Sequence, residues 1–382
     1  MKNIVAFSGH MIDRLDRISP RFPPTLEFTI ANRIRDELDR AEAHFGFASA
    51  ACGADILFHE QMLIRGGVIH IVLPCPENEF CESCVDFIPG ADWKKRFYEL
   101  LTKAKTVEIL SSQCATDNSI ASECCNRVIA GLSIIHSKLY QSEPMLLAFW
   151  DGRPGDAIGG TQSMVEFCRT RGFKVNVIDC SSQVQADAKP IHTQKVAISK
   201  DNLLQSPQQI AAMVFADVVG YSKLTERQLP HFAKHFLGAI SNLIHMGHEF
   251  PLAKNTWGDG LYLVFNSISA AGKFSLDLQH LVNSTDWSKH DLPKNLSIRI
   301  SVHAGPVYRL FDPIISQWNY IGSQVTQTAR LEPTTPPGRV FASRSFVALA
   351  EADHVNEFSY KYVGHIALAK EYGKMHAYEL FR

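Results

Sequence analysis

The sequence predicts an α/β protein of two domains: an N-terminal parallel sheet with helices on both faces, and a C-terminal α+β sheet domain. Three observations carry this. The chain has 382 residues, a length that suits two domains. In its first half, short apolar runs alternate with stretches of helical periodicity. A polar segment of little periodicity, Ser181 to Gln209, then precedes a different order of elements. The domains are therefore read as 1–180 and 210–382, joined by a linker at 181–209.

The first half runs as follows. NIVAFSGH is a short apolar run ending in Ser8-Gly9, as a buried strand ends in a βα turn. TIANRIRDELDRAEA has apolar or small residues at helical spacing. FGFASAACGADILFHEQMLIRG passes from a strand through Cys52-Gly53-Ala54-Asp55 into a helix. VIHIVLPC, KTVEIL, PMLLAFWDG and FKVNVID read as further strands. Two loops have the small residues that let backbone amides approach an anion at a helix N-terminus: Ser8-Gly9 with Cys52 to Asp55, and Gly159-Gly160-Thr161. Glycine also serves plain turns, so either loop alone is weak evidence.

The second half begins with AAMVFADVV, a strand. TERQLPHFAKHFLGAISNLIHMG reads as a helix with Thr225 as N-cap. FPLAKNTW and LYLVF are strands joined by a Gly-Asp-Gly turn, and SISAAGKFSLDLQHLVN is a helix. In LSIRISVHAG, Leu296, Ile298, Ile300 and Val302 alternate with Ser297, Arg299, Ser301 and His303, which predicts a half-buried strand. IGSQVTQTARLE is helical, GRVFAS a strand, and KYVGHIALAKEYGKMHAYELF a closing hairpin. This order predicts a ferredoxin-like sheet with additions.

Composition excludes several classes. Apolar residues make up 46% and charged residues 20%, the balance of a globular protein with a core. Lys and Arg total 38 against 39 Asp and Glu, so no global field draws nucleic acid or a membrane surface. No apolar run approaches the roughly 20 residues that span a bilayer, and MKNIVAFSGHMIDR lacks the pattern of a signal peptide. The expectation is a cytoplasmic protein with no nucleic-acid partner and no membrane insertion. Nine cysteines all lie at or before Cys180, and disulfides are not expected in such a chain. Cys81 and Cys84 have metal-ligand spacing, with Cys75 nearby, but no second pair completes a zinc site.

The chemistry lies in the second half. Asp217 ends one strand, and Asp259 sits at the tip of the hairpin. Each alone reads as a turn or cap residue. Together they form two carboxylates that a neighbouring-strand arrangement brings close, and such a pair repels unless cations lie between. Two Mg²⁺ or Mn²⁺ ions would satisfy it with oxygen ligands. The turn after Asp217 offers backbone amides to phosphates.

FADVVGYSKL, WGDGLYLVF, HAGPV and NYIGSQVTQTARLEPTTPPGRVFAS, in this order, resemble the class III nucleotidyl cyclase catalytic domain. The first half resembles the nucleotide-binding, Rossmann-like domains of the SLOG and lysine-decarboxylase-like group, on scattered short matches. The cyclase resemblance implies metal binding by Asp217, Asp259 and the backbone carbonyl of Val218. It implies phosphate binding by Val219, Gly220, Tyr221 and Lys370, and transition-state stabilisation by Arg330, with Thr326 where the family usually has asparagine. It implies two metal ions per site and a homodimer whose sites take the aspartates from one chain and Arg330 from the other.

The base-reading positions depart from the family. Adenylate cyclases place lysine and aspartate where this chain has Asn255 and Asn319; guanylate cyclases place glutamate and cysteine there. Lys254 is adjacent to the first position but points to the opposite strand face. Asparagine offers both a donor and an acceptor, which suits uracil or cytosine and resembles the pyrimidine cyclases of antiphage (Pycsar) systems. The resemblance then implies UTP conversion to cyclic UMP and diphosphate, with the product activating a separate effector protein. Cyclic CMP synthesis, a purine (adenylate) cyclase with an altered pocket, and an inactive nucleotide-binding signalling module are the alternatives. Tyr320 and Trp257 flank the two asparagines and either narrow the pocket or pack in the core. The N-terminal domain reads as a sensor, or as a structural or oligomerising domain.

Overall fold

The computed structural model of the chain describes residues 2–14, 16–114, 119–154, 159–179, 181, 208–247 and 249–382. The chain divides into two compact units, Met1–Gln205 with Glu351–Asp353, and Ser206–Ala350 with His354–Arg382. Of the segment read as a linker, all but Ser181, Gln208 and Gln209 lies outside the described residues.

The N-terminal unit holds β1 (Asn3–Gly9), α1 (Glu27–Arg40), β2 (Ala43–Ala48), α2 (Ala54–Ile64), β3 (Val68–Leu73), α3 (Glu77–Cys84) and α4 (Trp93–Lys103). It continues with β4 (Thr106–Ile109), α5 (Ser119–Tyr140), β5 (Pro144–Phe149), α6 (Thr161–Thr170) and β6 (Lys174–Ile178). The strands form one sheet in the order β4-β3-β2-β1-β5-β6, every pair parallel. The expected parallel sheet is therefore present. β1 is its central strand, and Ile4, Val5, Ala6 and Phe7 are buried on both faces, which is why it reads as an unbroken apolar run. α1 seats Ile30, Ile34 and Leu38, four residues apart, in the core. The strand order reverses between β1 and β5, where α/β sheets open a crevice at their carboxyl ends.

One expectation is corrected here. Cys75 and Cys114 are joined as a disulfide, their Cα atoms 5.0 Å apart. The reason is topological. β3 and β4 are adjacent and parallel, with Leu73 opposite Ile109. The chain segments that leave their carboxyl ends therefore run side by side, although 39 residues separate the two thiols.

The C-terminal unit opens with β7 (Gln208–Val219), α7 (Leu229–His231), a π-helical segment (Phe232–Leu237) and α8 (Gly238–Met246). Next come β8 (Ala253–Trp257), β9 (Gly260–Phe265), α9 (Ile268–Ser284), β10 (Ser297–Asp312), β11 (Gln317–Ile321) and α10 (Ser323–Leu331). β12 (Val340–Ser343), α11 (Arg344–Ala352, its last two residues counted with the first unit), β13 (Ser359–Ala367) and β14 (Lys374–Phe381) complete it. The sheet order is β13-β14-β12-β10-β7-β9-β8, with β11 paired to β10. β10 runs parallel to β12, and the other neighbours are antiparallel.

Two details differ from the sequence reading. Thr225 does not cap a helix; its backbone N–H and hydroxyl donate to Gln228 Oε1 at 3.0 and 3.1 Å, and the helix starts at Leu229. β10 is buried on both faces at Ser301 and His303, because α10 covers them: Ser301 Oγ donates to the Thr328 carbonyl at 2.9 Å. Ser267 caps α9, accepting from the Ala270 N–H at 3.2 Å.

Candidate active site

β7 and β9 bring the two aspartates together. Asp217 pairs with Gly260 across the ladder, and the Val218 N–H donates to the Asp259 carbonyl at 3.3 Å. The hairpin tip is thereby fastened to the end of the central strand. Both side chains are half-buried. Burial, and then the negative charge of Asp217, raise the Asp259 pKa above the usual carboxylate range.

A basic residue not singled out by the sequence reading completes the cluster. Arg299 stands opposite Asp217 in the β10–β7 register. Its guanidinium bonds Asp217 Oδ2, and its Nε lies 3.0 Å from Glu332 Oε1. The latter contact is an ion pair without hydrogen-bond alignment, since Nε and Oε1 each lack a hydrogen-bond partner. Burial pushes the Glu332 pKa to about 7; Arg299 opposes this, and the charges of Asp217 and Asp259 add to it. The alternation of LSIRISV places Arg299 on the same strand face as Ser301 and His303. That periodicity is a signal that could have marked it.

Among the described residues, no group of three or more His, Cys, Asp or Glu side chains is placed to hold a metal ion. Two carboxylates that repel each other at the end of β7 and the tip of the β8–β9 turn still fit a hard divalent cation. Magnesium in particular is held by one or two carboxylates and completes its shell from substrate phosphates and water.

Past Val219, Gly220 takes φ +88°, and Tyr221–Lys223 form a single 3₁₀ turn. The chain therefore makes a tight turn here rather than entering the helix directly. Tyr221 packs edge-on against Phe232, ring centroids 5.0 Å apart. Thr326 and Arg330 lie four residues apart on α10 and so share a face. The buried Arg330 Nε has no hydrogen-bond partner. α10 is anchored from below by His303, whose Nε2 meets Gln324 Oε1 and whose Nδ1 meets Ser343 Oγ, both at 2.6 Å. Gly305 makes room for this arrangement, since a Cβ there would sit 2.7 Å from Gln324 Oε1. Lys370 is exposed in the β13–β14 turn, in the left-handed region at φ +59°.

The two asparagines meet. Asn255 Nδ2 donates to Asn319 Oδ1 at 3.3 Å. The same Oδ1 accepts the Tyr320 N–H at 2.9 Å. Of the flanking aromatics, Tyr320 is buried at 4% exposure among Tyr262, Val264 and Val307, so its ring belongs to the core. Trp257 is 58% exposed.

Residues 204–381 match the family model of the adenylate and guanylate cyclase catalytic domain. The matched region holds β7 to β14 and every residue described in this site. This region is also similar to solved structures. The guanylate cyclase domain of RhGC from Catenaria anguillulae is 17% identical, covering 46% of this chain and 98% of that one, with a TM-score of 0.40. The adenylyl cyclase CyaB from P. aeruginosa is 17% identical over 47% of this chain and 97% of that one, at a TM-score of 0.41. An adenylate cyclase from Trypanosoma brucei is 18% identical over 45% and 89%, at 0.39. No curated protein matches the chain. No helix among the described residues is long and apolar enough to cross a membrane.

The N-terminal unit has a cavity of its own, about 400 Å³, at the carboxyl ends of β1, β2, β3 and β5. Both glycine-bearing loops reach it. Its lining includes Ser8, His10, Arg21, Asp55, Asn126 and Thr161. Ser8 Oγ donates to Thr161 Oγ1 at 3.5 Å, and Asn126 Nδ2 donates to the Gly159 carbonyl at 2.8 Å. Gly159 is required where it stands: φ is +84°, and a Cβ would lie 2.6 Å from the Ser119 carbonyl oxygen. Burial raises the Asp55 pKa to about 7 and lowers that of His10.

Proposed function

We propose that the chain is a class III nucleotide cyclase that converts a pyrimidine triphosphate, UTP ahead of CTP, to its 3′,5′-cyclic monophosphate and diphosphate. The observation that carries the cyclase reading is the pair Asp217 and Asp259, held against each other in a domain matched by the cyclase family model. A divalent cation bound by these carboxylates would acidify the attacking ribose hydroxyl and offset phosphate charge. Arg330, with a buried Nε that lacks a hydrogen-bond partner, is suited to receive the charge that develops on the α-phosphate. Thr326, one helical turn before it, supplies a hydroxyl to the same region. Val219, Gly220 and Tyr221 offer backbone amides to the phosphates, and Lys370 an exposed positive charge.

The enzyme works as a homodimer in this reading, because one chain carries both the aspartates and Arg330 and can complete a site with a second copy. Two Mg²⁺ or Mn²⁺ ions serve each site. The base is read by Asn255, opposite its ring nitrogen, and Asn319, opposite its exocyclic group. That order follows from adenylate cyclases, where the lysine at the first place can only donate and the aspartate at the second can only accept. The cyclic product acts as a messenger for a separate effector, as in the antiphage systems the sequence resembles. The test is to incubate the purified chain with each ribonucleoside triphosphate and Mn²⁺ and identify products by mass spectrometry. Absence of every cyclic nucleotide would overturn the reading.

A second reading concerns the N-terminal unit. Its cavity, at the strand ends where α/β sheets take ligands, supports a sensor that binds a small molecule and sets cyclase activity. Thr161→Phe would fill the cavity; it should change the response of the full-length enzyme to its trigger and leave basal turnover within twofold. An unaltered response would favour a structural role.

A further inference from the structure

Asparagine is ambiguous as a base reader because its amide can turn over, exchanging donor for acceptor. In this chain the ambiguity is removed by a backbone group. The Tyr320 N–H can only donate, so the Asn319 atom 2.9 Å from it is the amide oxygen. With that oxygen committed, the Asn319 NH₂ faces the other way as a donor. Asn255 is fixed in turn: the atom it directs at Asn319 Oδ1, 3.3 Å away, is its NH₂. Its own carbonyl oxygen is left as an acceptor.

The locking group is itself immobile. Tyr320 pairs with Arg309 in the β10–β11 ladder. Its carbonyl accepts the Tyr262 hydroxyl at 2.9 Å, and Tyr262 stacks on Phe215 with ring centroids 4.8 Å apart. Turning the Asn319 amide would set its NH₂ against the Tyr320 N–H and against the Asn255 NH₂. Even with Asn255 turned in concert, one donor–donor contact with the Tyr320 N–H would replace a hydrogen bond at a half-buried site.

We infer that this amide pair makes the enzyme selective for bases with a ring N–H beside a carbonyl, and against bases with a ring nitrogen acceptor beside an amine. The inference rests on the reading that Asn255 faces the ring nitrogen and Asn319 the exocyclic group. Uracil then matches at both places: N3–H donates to Asn255 Oδ1, and O4 accepts from Asn319 Nδ2. Cytosine mismatches at both, since its N3 meets an oxygen and its N4 amine meets an amine. The same logic separates guanine, which matches, from adenine, which does not. The competing substrate of UTP is therefore GTP rather than CTP, and only pocket size separates those two.

The experiment measures kcat/KM of the full-length chain for UTP, CTP, GTP and ATP with Mn²⁺, in the wild type and in Asn319→Asp. The aspartate keeps the size and still accepts from the Tyr320 N–H and from Asn255, but cannot donate to O4. Expected are a UTP preference over CTP, and a GTP preference over ATP, of at least about 100-fold. In the variant the UTP-to-CTP ratio should fall at least about tenfold, with UTP losing the more. A purely structural role for Asn319 would lower all four rates and leave the ratio unmoved. CTP outrunning UTP in the wild type would overturn the lock and leave the pyrimidine reading standing. GTP outrunning UTP, with UTP still ahead of CTP, would support the lock and overturn the pyrimidine reading. ATP as best substrate would overturn both. Equilibrium binding of α,β-methylene-UTP and α,β-methylene-CTP to the wild type reads the same ratio without turnover: tighter UTP-analogue binding supports the lock, and equal binding overturns it.

Discussion

At the scale of single residues, the cluster of Asp217, Asp259, Glu332 and Arg299 holds three carboxylates against one guanidinium. Arg299 is the only cation that the described ion pairs give to Asp217 and Glu332. Replacing it by methionine, Arg299→Met, leaves both acids without a counter-charge while keeping the length of the side chain. Removing one partner of a buried pair costs about 3–5 kcal/mol; the pair is 28% exposed on each side, so the cost should fall to about 1–2 kcal/mol. A lower urea midpoint, partly restored by Mn²⁺, is the expected outcome, and an unchanged midpoint would show that the ion pair contributes nothing. Asp259→Asn should behave oppositely. It removes a charge that Asp217 repels, so thermal stability should hold or rise, while turnover is lost and Mn²⁺ no longer shifts the melting temperature. Activity near that of the wild type would sink the metal assignment.

At the scale of elements, β10 links the two halves of the candidate site. It carries Arg299 toward the aspartates and His303 toward α10, the helix of Thr326 and Arg330. Burial lowers the His303 pKa to about 4 from 6.5. The folded protein therefore resists protonation that the unfolded chain accepts, and between pH 4 and 6.5 the unfolded state binds more protons. Stability should rise with pH across that window and be complete above it, a contribution of roughly 3 kcal/mol. His59, also buried with its pKa lowered to about 4, acts in the same direction in the N-terminal unit. Urea melts of wild type and His303→Gln at pH 4.5 and 7 separate the two. The variant should lose part of the pH dependence, and an identical slope would remove His303 from this role.

At the scale of the whole molecule, the homodimer proposal has a direct consequence. Asp217→Ala and Arg330→Ala chains should each be inactive alone. Mixed under conditions where subunits exchange, they should regain activity, because one site in each mixed dimer draws its aspartates and its arginine from intact chains. The random mixture should reach about a quarter of wild-type activity, as half the dimers are mixed and each keeps one of two sites. No recovery would argue for sites completed within one chain.

The sequence by itself determined the parallel sheet of the first half, because buried strands must be apolar on both faces and helices between them must carry a stripe. It also placed Asp217 at the end of a strand and Asp259 in a hairpin turn, since the apolar runs AAMVFADVV and LYLVF read as strands on either side. It did not reveal α11, which follows β12 directly with no turn residue between them. Three facts were left to tertiary structure alone. Cys75 meets Cys114 because two parallel strands end side by side. Arg299 meets Asp217 because β10 and β7 pair in one register out of several that the pattern allows. The two asparagines acquire a fixed orientation because a backbone N–H, a group identical in almost every residue and therefore invisible in a sequence, stands beside one of them. Residue identity supplies the chemical groups; only their placement decides which atom of an amide faces outward.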